Sequence, residues 1–110
     1  QKIVFDHLRP SSARDTWGVN EARVQLDQAY AWLDGQLAQR NWAAGDRFSL
    51  ADCAAAPALF YADWIQPISP AHPRVLSYRQ RLLARPSVVR AVNEARPYRQ
   101  YFPPGAPDRD

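Results

Sequence analysis

The sequence is poor in sulfur, in strand-like alternation and in long apolar runs. A single cysteine, Cys53, rules out an internal disulfide and fits a reducing compartment. It sits in an apolar stretch, so a buried small hydrophobe is expected rather than a reactive thiol. No apolar run reaches about 18 residues, so no membrane-spanning helix is predicted, and no leader segment is evident. No segment alternates apolar and polar residues over the length of a strand, and no internal repeat is present. Neither a helix-turn-helix pattern nor zinc-ligand spacing is visible, and His72 stands among prolines without companion ligands. These absences point to an all-α, cytoplasmic protein with no metal and no membrane partner.

The chain has 110 residues, enough for one domain with a real core. Its 46% hydrophobic content argues against wholesale disorder. The net charge of +3 is modest but unevenly spread. Arg74, Arg79, Arg81, Arg85, Arg90, Arg96 and Arg99 are opposed over that stretch only by Glu94. Such a run suits an acidic partner or a nucleic acid. The plainer reading is a solvated helix face. No aromatics alternate with these arginines as a single-strand binder would need, so a nucleic-acid partner is not expected.

Phe48-Ser49-Leu50-Ala51-Asp52 carries the clearest local chemistry. Ser49 and Asp52 stand in capping-box spacing, each side chain able to accept from the other residue's backbone N–H. Phe48, just before the cap, is placed to pack on Cys53 as a hydrophobic staple. From Leu50 to Trp64 only Asp52 and Asp63 are charged. A helix apolar nearly all round is expected to be enclosed by protein, so this one is predicted to be the central post. Leu50, Cys53, Pro57, Tyr61 and Trp64 form a candidate stripe, and Pro57 should bend it.

Four further helices are predicted around it. Gln1–Leu8 reads as a helix closed by Pro10. A long helix begins at a cap on Asp15 or Thr16 and ends near Arg40, with Val19, Ala22, Leu26, Ala29, Tyr30, Leu33 and Leu37 on its inner face. Gly35 inside it suggests close packing. Pro73–Ala84 and a helix opened by Pro86 complete the set, the last with Val88, Val89, Val92 and Ala95 inward. The expected architecture is a bundle of about five helices around a central buried helix, over residues 1–102. Residues 103–110 are expected to form a flexible tail.

This order of features resembles the C-terminal helical domain of bacterial cytosolic glutathione transferases. The resemblance is carried by Trp42-Ala43-Ala44-Gly45-Asp46-Arg47 before the cap, by F-S-L-A-D at Phe48–Asp52, by the Ala- and Pro-containing helix after it, and by A-R-P-S-V at Ala84–Val88. It implies an N-terminal thioredoxin-like domain that binds glutathione and is absent from this chain. The chain would then be a fragment, inactive alone, with no catalytic residue of its own. The full-length parent would attack a hydrophobic electrophile with glutathione thiolate, glutathione being a co-substrate and no cofactor being held covalently. A thiol of pKa about 8.5 needs donors or positive charge nearby to ionise at neutral pH.

The resemblance also suggests site residues. In beta-type bacterial members a histidine near the end of this first helix contributes to the glutathione site. His7 stands there, although the following family lysine is Leu8 here. The plainer reading pairs His7 with Asp6 or Asp15. Arg9 and Arg14 suit a glutathione carboxylate, or are simply connector charges. Phe5, Trp17, Tyr98, Tyr101 and Phe102 are candidates for the hydrophobic co-substrate wall, or for core and tail anchoring. Trp64 is assigned to the core. Ser49 and Asp52 are structural. Family members are commonly homodimers through the first two helices. The same fold also serves as a non-catalytic interaction module on translation factors, aminoacyl-tRNA synthetases and a transcription partner, a reading that a continuous arginine stripe would favour. A helical bundle of unrelated origin is the third reading.

Overall fold

The computed structural model describes all 110 residues. Five α-helices follow one another: α1 Lys2–His7, α2 Thr16–Gln36, α3 Leu50–Ile65, α4 Pro73–Leu83 and α5 Pro86–Ala95. Short 3₁₀ turns at Ser11–Ala13, Leu37–Gln39 and Arg96–Tyr101 extend the connections, and there is no strand. The all-α bundle is therefore as the sequence indicates.

The local signals act as their chemistry requires. Asp15 caps α2, its Oδ1 accepting from Gly18 N at 2.8 Å. The capping box of α3 forms, with Ser49 N donating to Asp52 Oδ2 at 2.8 Å and Ala51 N to Ser49 Oγ at 3.3 Å. Pro73 and Pro86 occupy the first turns of α4 and α5. The N-terminus of α4 lacks a local cap, because His72 offers no side-chain bond. Asp34 of α2 supplies it from across the bundle, accepting from Arg74 N at 2.9 Å and Val75 N at 3.2 Å. At the far end of α3, Tyr30 OH donates to Gln66 O at 2.9 Å and Arg23 reaches Gln66 Oε1 at 2.9 Å.

The helix at the centre is α4 rather than α3. It packs against α2, α3 and α5, and its Val75, Tyr78 and Leu82 join Tyr30, Leu37, Leu59 and Ile68 in the core. On α3 the buried positions are Asp52, Leu59 and Asp63. The predicted stripe turns outward: Leu50 is 86% exposed, and Cys53, Pro57 and Tyr61 are exposed as well. The apolar character of α3 signals cover on every side, and this chain supplies it on one side only. Cys53 is thus not the buried hydrophobe expected. Phe48 packs edge-on against Trp42 at 5.3 Å, with the Arg85 guanidinium 4.1 Å from its ring centre, and shares only a groove lining with Cys53.

Two other details differ from the sequence reading. Gly35 faces open space, so close packing is not its reason. Gly18 is the tight position, where a Cβ would meet Asp15 Oδ2 and stand 2.7 Å from Lys2 Cε. On α5 no residue is fully buried, and Val89 is exposed; Val88 and Val92 are half-buried. Residues 103–110 lie against the body, held by Arg109 on Asp63 and by Asp110 on Arg96 and Arg99.

Candidate functional site

Aromatic side chains concentrate where α3, the 3₁₀ turn after α5 and α1 come together. Phe60 and Tyr61 are neighbours on α3 and Trp64 follows one turn later, with Phe60 and Trp64 ring centres 4.6 Å apart. Phe102 stacks on Tyr61 at 5.7 Å and meets Trp64 edge-on at 5.3 Å. Together with Phe5, Val92, Tyr98 and Tyr101 they line an open cavity of ≈ 390 Å³. That volume suits a small apolar molecule. Its charged lining residue is Arg99, whose guanidinium carbon lies 5.3 Å from the Trp64 ring centre.

Of the predicted co-substrate residues, the cavity gathers Phe5, Tyr98, Tyr101 and Phe102. Trp17 does not line it; it stands 75% exposed on α2. Trp64, assigned to the core from sequence, is a wall of the cavity. Phe60 and Tyr61 join it, and their close spacing with Trp64 in one helix was the available signal. A second apolar groove of ≈ 410 Å³ continues between α3 and α5 past Cys53, Pro57, Val88 and Ala91, sharing Phe60, Tyr61, Val92 and Ala95 with the first.

His7 and Arg14 line a smaller recess with Asp6, Arg23 and Pro104. His7 is exposed, and its ring pairs with neither acid proposed for it. Asp6 accepts from Asp15 N at 2.8 Å and from Arg9 at 3.5 Å. Asp15 instead takes Lys2 Nζ at 2.5 Å, and that bond, with the one from Gly18 N, holds its carboxyl below the usual range. Arg14 reaches only the His7 carbonyl, at 3.5 Å, which leaves its charge available. Arg9 is outside the recess.

The arginines from Arg74 onward do not form a stripe. Arg74 pairs with Asp34 at 3.1 Å, Arg79 with Asp63 at 3.4 Å and Arg90 with Glu94 at 2.8 Å. Arg81 donates to Asn41 O at 2.8 Å, Arg85 lies over Phe48, and Arg96 and Arg99 hold Asp110. The counter-charges of Arg74, Arg79, Arg96 and Arg99 come from outside the run, from Asp34, Asp63 and Asp110.

Below the cavities lies the structural centre. Asp52 is fully buried and accepts from Ala43 N at 2.8 Å, Ser49 N at 2.8 Å and Tyr78 OH at 2.6 Å. Burial pushes its carboxyl upward, but these donors outweigh it and leave the pKa below the ordinary value. Burial and the Asp52 charge both push the Tyr78 phenol up.

Residues 16–81 match the family of the glutathione S-transferase C-terminal domain. The chain belongs to that family. It is 29% identical over 83 residues to glutathione S-transferase GstB of Escherichia coli K12, covering 76% of this chain and 40% of that protein. GstB of Escherichia coli O6:H1 gives the same figures. The chain thus spans about two fifths of the length of these curated relatives. No solved structure matches it. No helix of this glutathione transferase-like domain is long and apolar enough to cross a membrane.

Proposed function

We propose that this domain forms the co-substrate wall of a glutathione S-transferase, and that the aromatic cavity between α3 and residues 98–103 receives the hydrophobic electrophile. The observation that carries this reading is the cavity itself, a mostly apolar, partly open space walled by Trp64, Tyr61 and Phe102 in a transferase-family domain. Such a site binds by apolar contact and excludes water from the reacting thiolate. In this reading glutathione is a co-substrate, not a resident cofactor, and its sulfur is activated by a thioredoxin-like domain that precedes this one. The open face of α3 supports that arrangement: Leu50, Cys53, Pro57 and Tyr61 are an apolar flank suited to cover by another domain. His7 and Arg14, in the recess beside the cavity, are the candidates for contacts to glutathione. The residues that carry chemistry lie outside this chain, so the 110-residue domain alone is inactive and the parent is a cytoplasmic enzyme.

The test is conjugation of glutathione to a chlorinated nitroaromatic by the full-length parent. Phe102→Ala should raise KM for the electrophile about five- to tenfold, the loss of one packed aromatic face, while KM for glutathione stays unchanged. Equal effects on both substrates, or turnover by the 110-residue chain alone, would overturn the assignment.

A homodimer through α1 and α2 is part of the same proposal. Trp17 and Val24, two turns apart on α2, share a face, and Trp32 stands beside it; all three are exposed. Trp32→Glu in the parent should convert a dimer to a monomer in light scattering. A dimer that persists would place the interface elsewhere.

A further inference from the structure

A recess between α4 and the turn after α2 has no part in the site described above. It encloses ≈ 280 Å³ and is lined by Leu37, Arg40 and Asn41 on one side and by Arg74, Ser77 and Arg81 of α4 on the other. It shares no lining residue with the aromatic cavity, with the groove between α3 and α5, or with the recess of His7. Arg74, Ser77 and Arg81 stand three and four residues apart, so one face of the helix presents all three. Arg40 meets them from a separate element, outside the arginine run that begins at Arg74.

Two of these guanidinium groups are held in place without being used up. Arg81 donates through Nε and Nη2 to Asn41 O, at 3.1 and 2.8 Å, a neutral acceptor that leaves its charge uncompensated. Arg74 Nη1 pairs with Asp34 Oδ2 at 3.1 Å, while its Nε and Nη2 keep no partner in the chain. Arg40 meets only Ala43 O, at 3.4 Å. No carboxylate lines the recess, and Asp34 offsets one of the three charges. Like charges gathered around one space repel, and an anion between them relieves that repulsion. Guanidinium groups take phosphate oxygens two at a time. The first amides of α4, Arg74 N and Val75 N, already donate to Asp34, so side chains rather than the helix end supply the free donors.

We infer that this recess binds the phosphate groups of a small anion, with Arg40, Arg74 and Arg81 as charged donors and the Ser77 hydroxyl as a neutral one. No aromatic residue lines it, so nothing there stacks on a base. Recognition is therefore of the phosphates, whether they are free as pyrophosphate or carried on a nucleotide. The inference does not depend on the co-substrate reading of the aromatic cavity.

The test titrates inorganic pyrophosphate into the 110-residue chain at low salt, read by calorimetry and by the amide NMR signals of Asn41, Ser77 and Arg81. The dissociation constant should lie below about 1 mM, and the recess amides should shift. ADP should bind within about threefold of pyrophosphate, because no base is stacked. Arg40→Gln removes a side chain whose one tie is its contact with Ala43 O, and should weaken binding about tenfold or more. Ser77→Glu places a carboxylate in the recess one turn before Arg81, a spacing the helix accepts, and should abolish binding. Arg90→Gln removes an equal charge outside the recess and should leave binding within about twofold. An unchanged circular-dichroism spectrum checks the fold of each variant. Silent recess amides, or equal weakening by Arg40→Gln and Arg90→Gln, overturn the site. ADP binding far more tightly than pyrophosphate refutes recognition of the phosphates alone.

Discussion

Asp52→Ala should lower the melting temperature of this domain by about 6–20 °C. Loss of the helix cap alone costs about 0.5–2 kcal/mol. Asp52 does more than cap α3. It accepts from Ala43 N in the preceding turn and from Tyr78 OH on α4, 26 residues away in sequence. Tyr78 has no exposure at all, so its hydroxyl cannot turn to water when the carboxylate goes. An orphaned buried donor adds about 1–3 kcal/mol, bringing the loss to roughly 1.5–5 kcal/mol. Circular-dichroism melting decides it, and a midpoint within a degree or two of wild type would refute the central role of this carboxylate.

The same residue sets an acid limit on stability. Its folded pKa lies below the ordinary carboxylate value, so the folded state prefers the ionised form. The stabilisation is complete above the unfolded pKa of about 4 and is lost as pH falls through the folded one. Asp15 and Asp110 are lowered in the same direction, Asp15 first by Lys2 and Asp110 first by Arg99. Both are more exposed, so their share is screened. Asp52→Asn should therefore flatten the decline of stability below about pH 4.

Asp52 also marks the boundary of what sequence makes legible. Its bond to Ser49 lies within one turn and obeys a three-residue spacing, so the cap could be read directly. The Asp15 cap, the prolines opening α4 and α5, and the face of α2 around Tyr30 and Leu37 are local in the same sense. Tyr78 could not be assigned to Asp52, because no spacing rule links residues on separate helices. The arginines show the reverse error. Counted locally they had one acidic partner, Glu94; in space Asp34, Asp63 and Asp110 fold back onto them. The aromatic cavity was legible in part. Phe5, Tyr98, Tyr101 and Phe102 follow from the family resemblance, which also suggests Trp17, a residue outside the cavity. Trp64 was assigned inward because composition reports that a helix is apolar without reporting which face its own chain covers. Periodicity could not settle that for α3, whose alanines fit either side.

Asp63→Ala is expected to cost as much as the Asp52 change, about 3–5 kcal/mol, for a different reason. Asp63 Oδ1 accepts from Ile68 N at 2.9 Å, and Oδ2 faces both Arg79 and Arg109. Arg109 can return to water, since its side chain is 41% exposed. Arg79 cannot: it is buried, and its Nε and Nη2 make no hydrogen bond. Burial lowers its pKa, and the Asp63 charge is the main influence that holds the proton on. Without Asp63 a guanidinium is left in the core with neither a hydrogen bond nor a close counter-charge. The cost is thus the stranded charge rather than the worth of the pair, and a double-mutant cycle separates the two. Arg79→Met removes the charge and keeps an apolar filler beside Phe60, so it should cost far less than Asp63→Ala. The double variant should then be more stable than Asp63→Ala alone, with a coupling of about 2 kcal/mol or more. Additive losses in urea unfolding would mean that Arg79 finds water when Asp63 is gone, and that the core at α4 is open where the structure closes it.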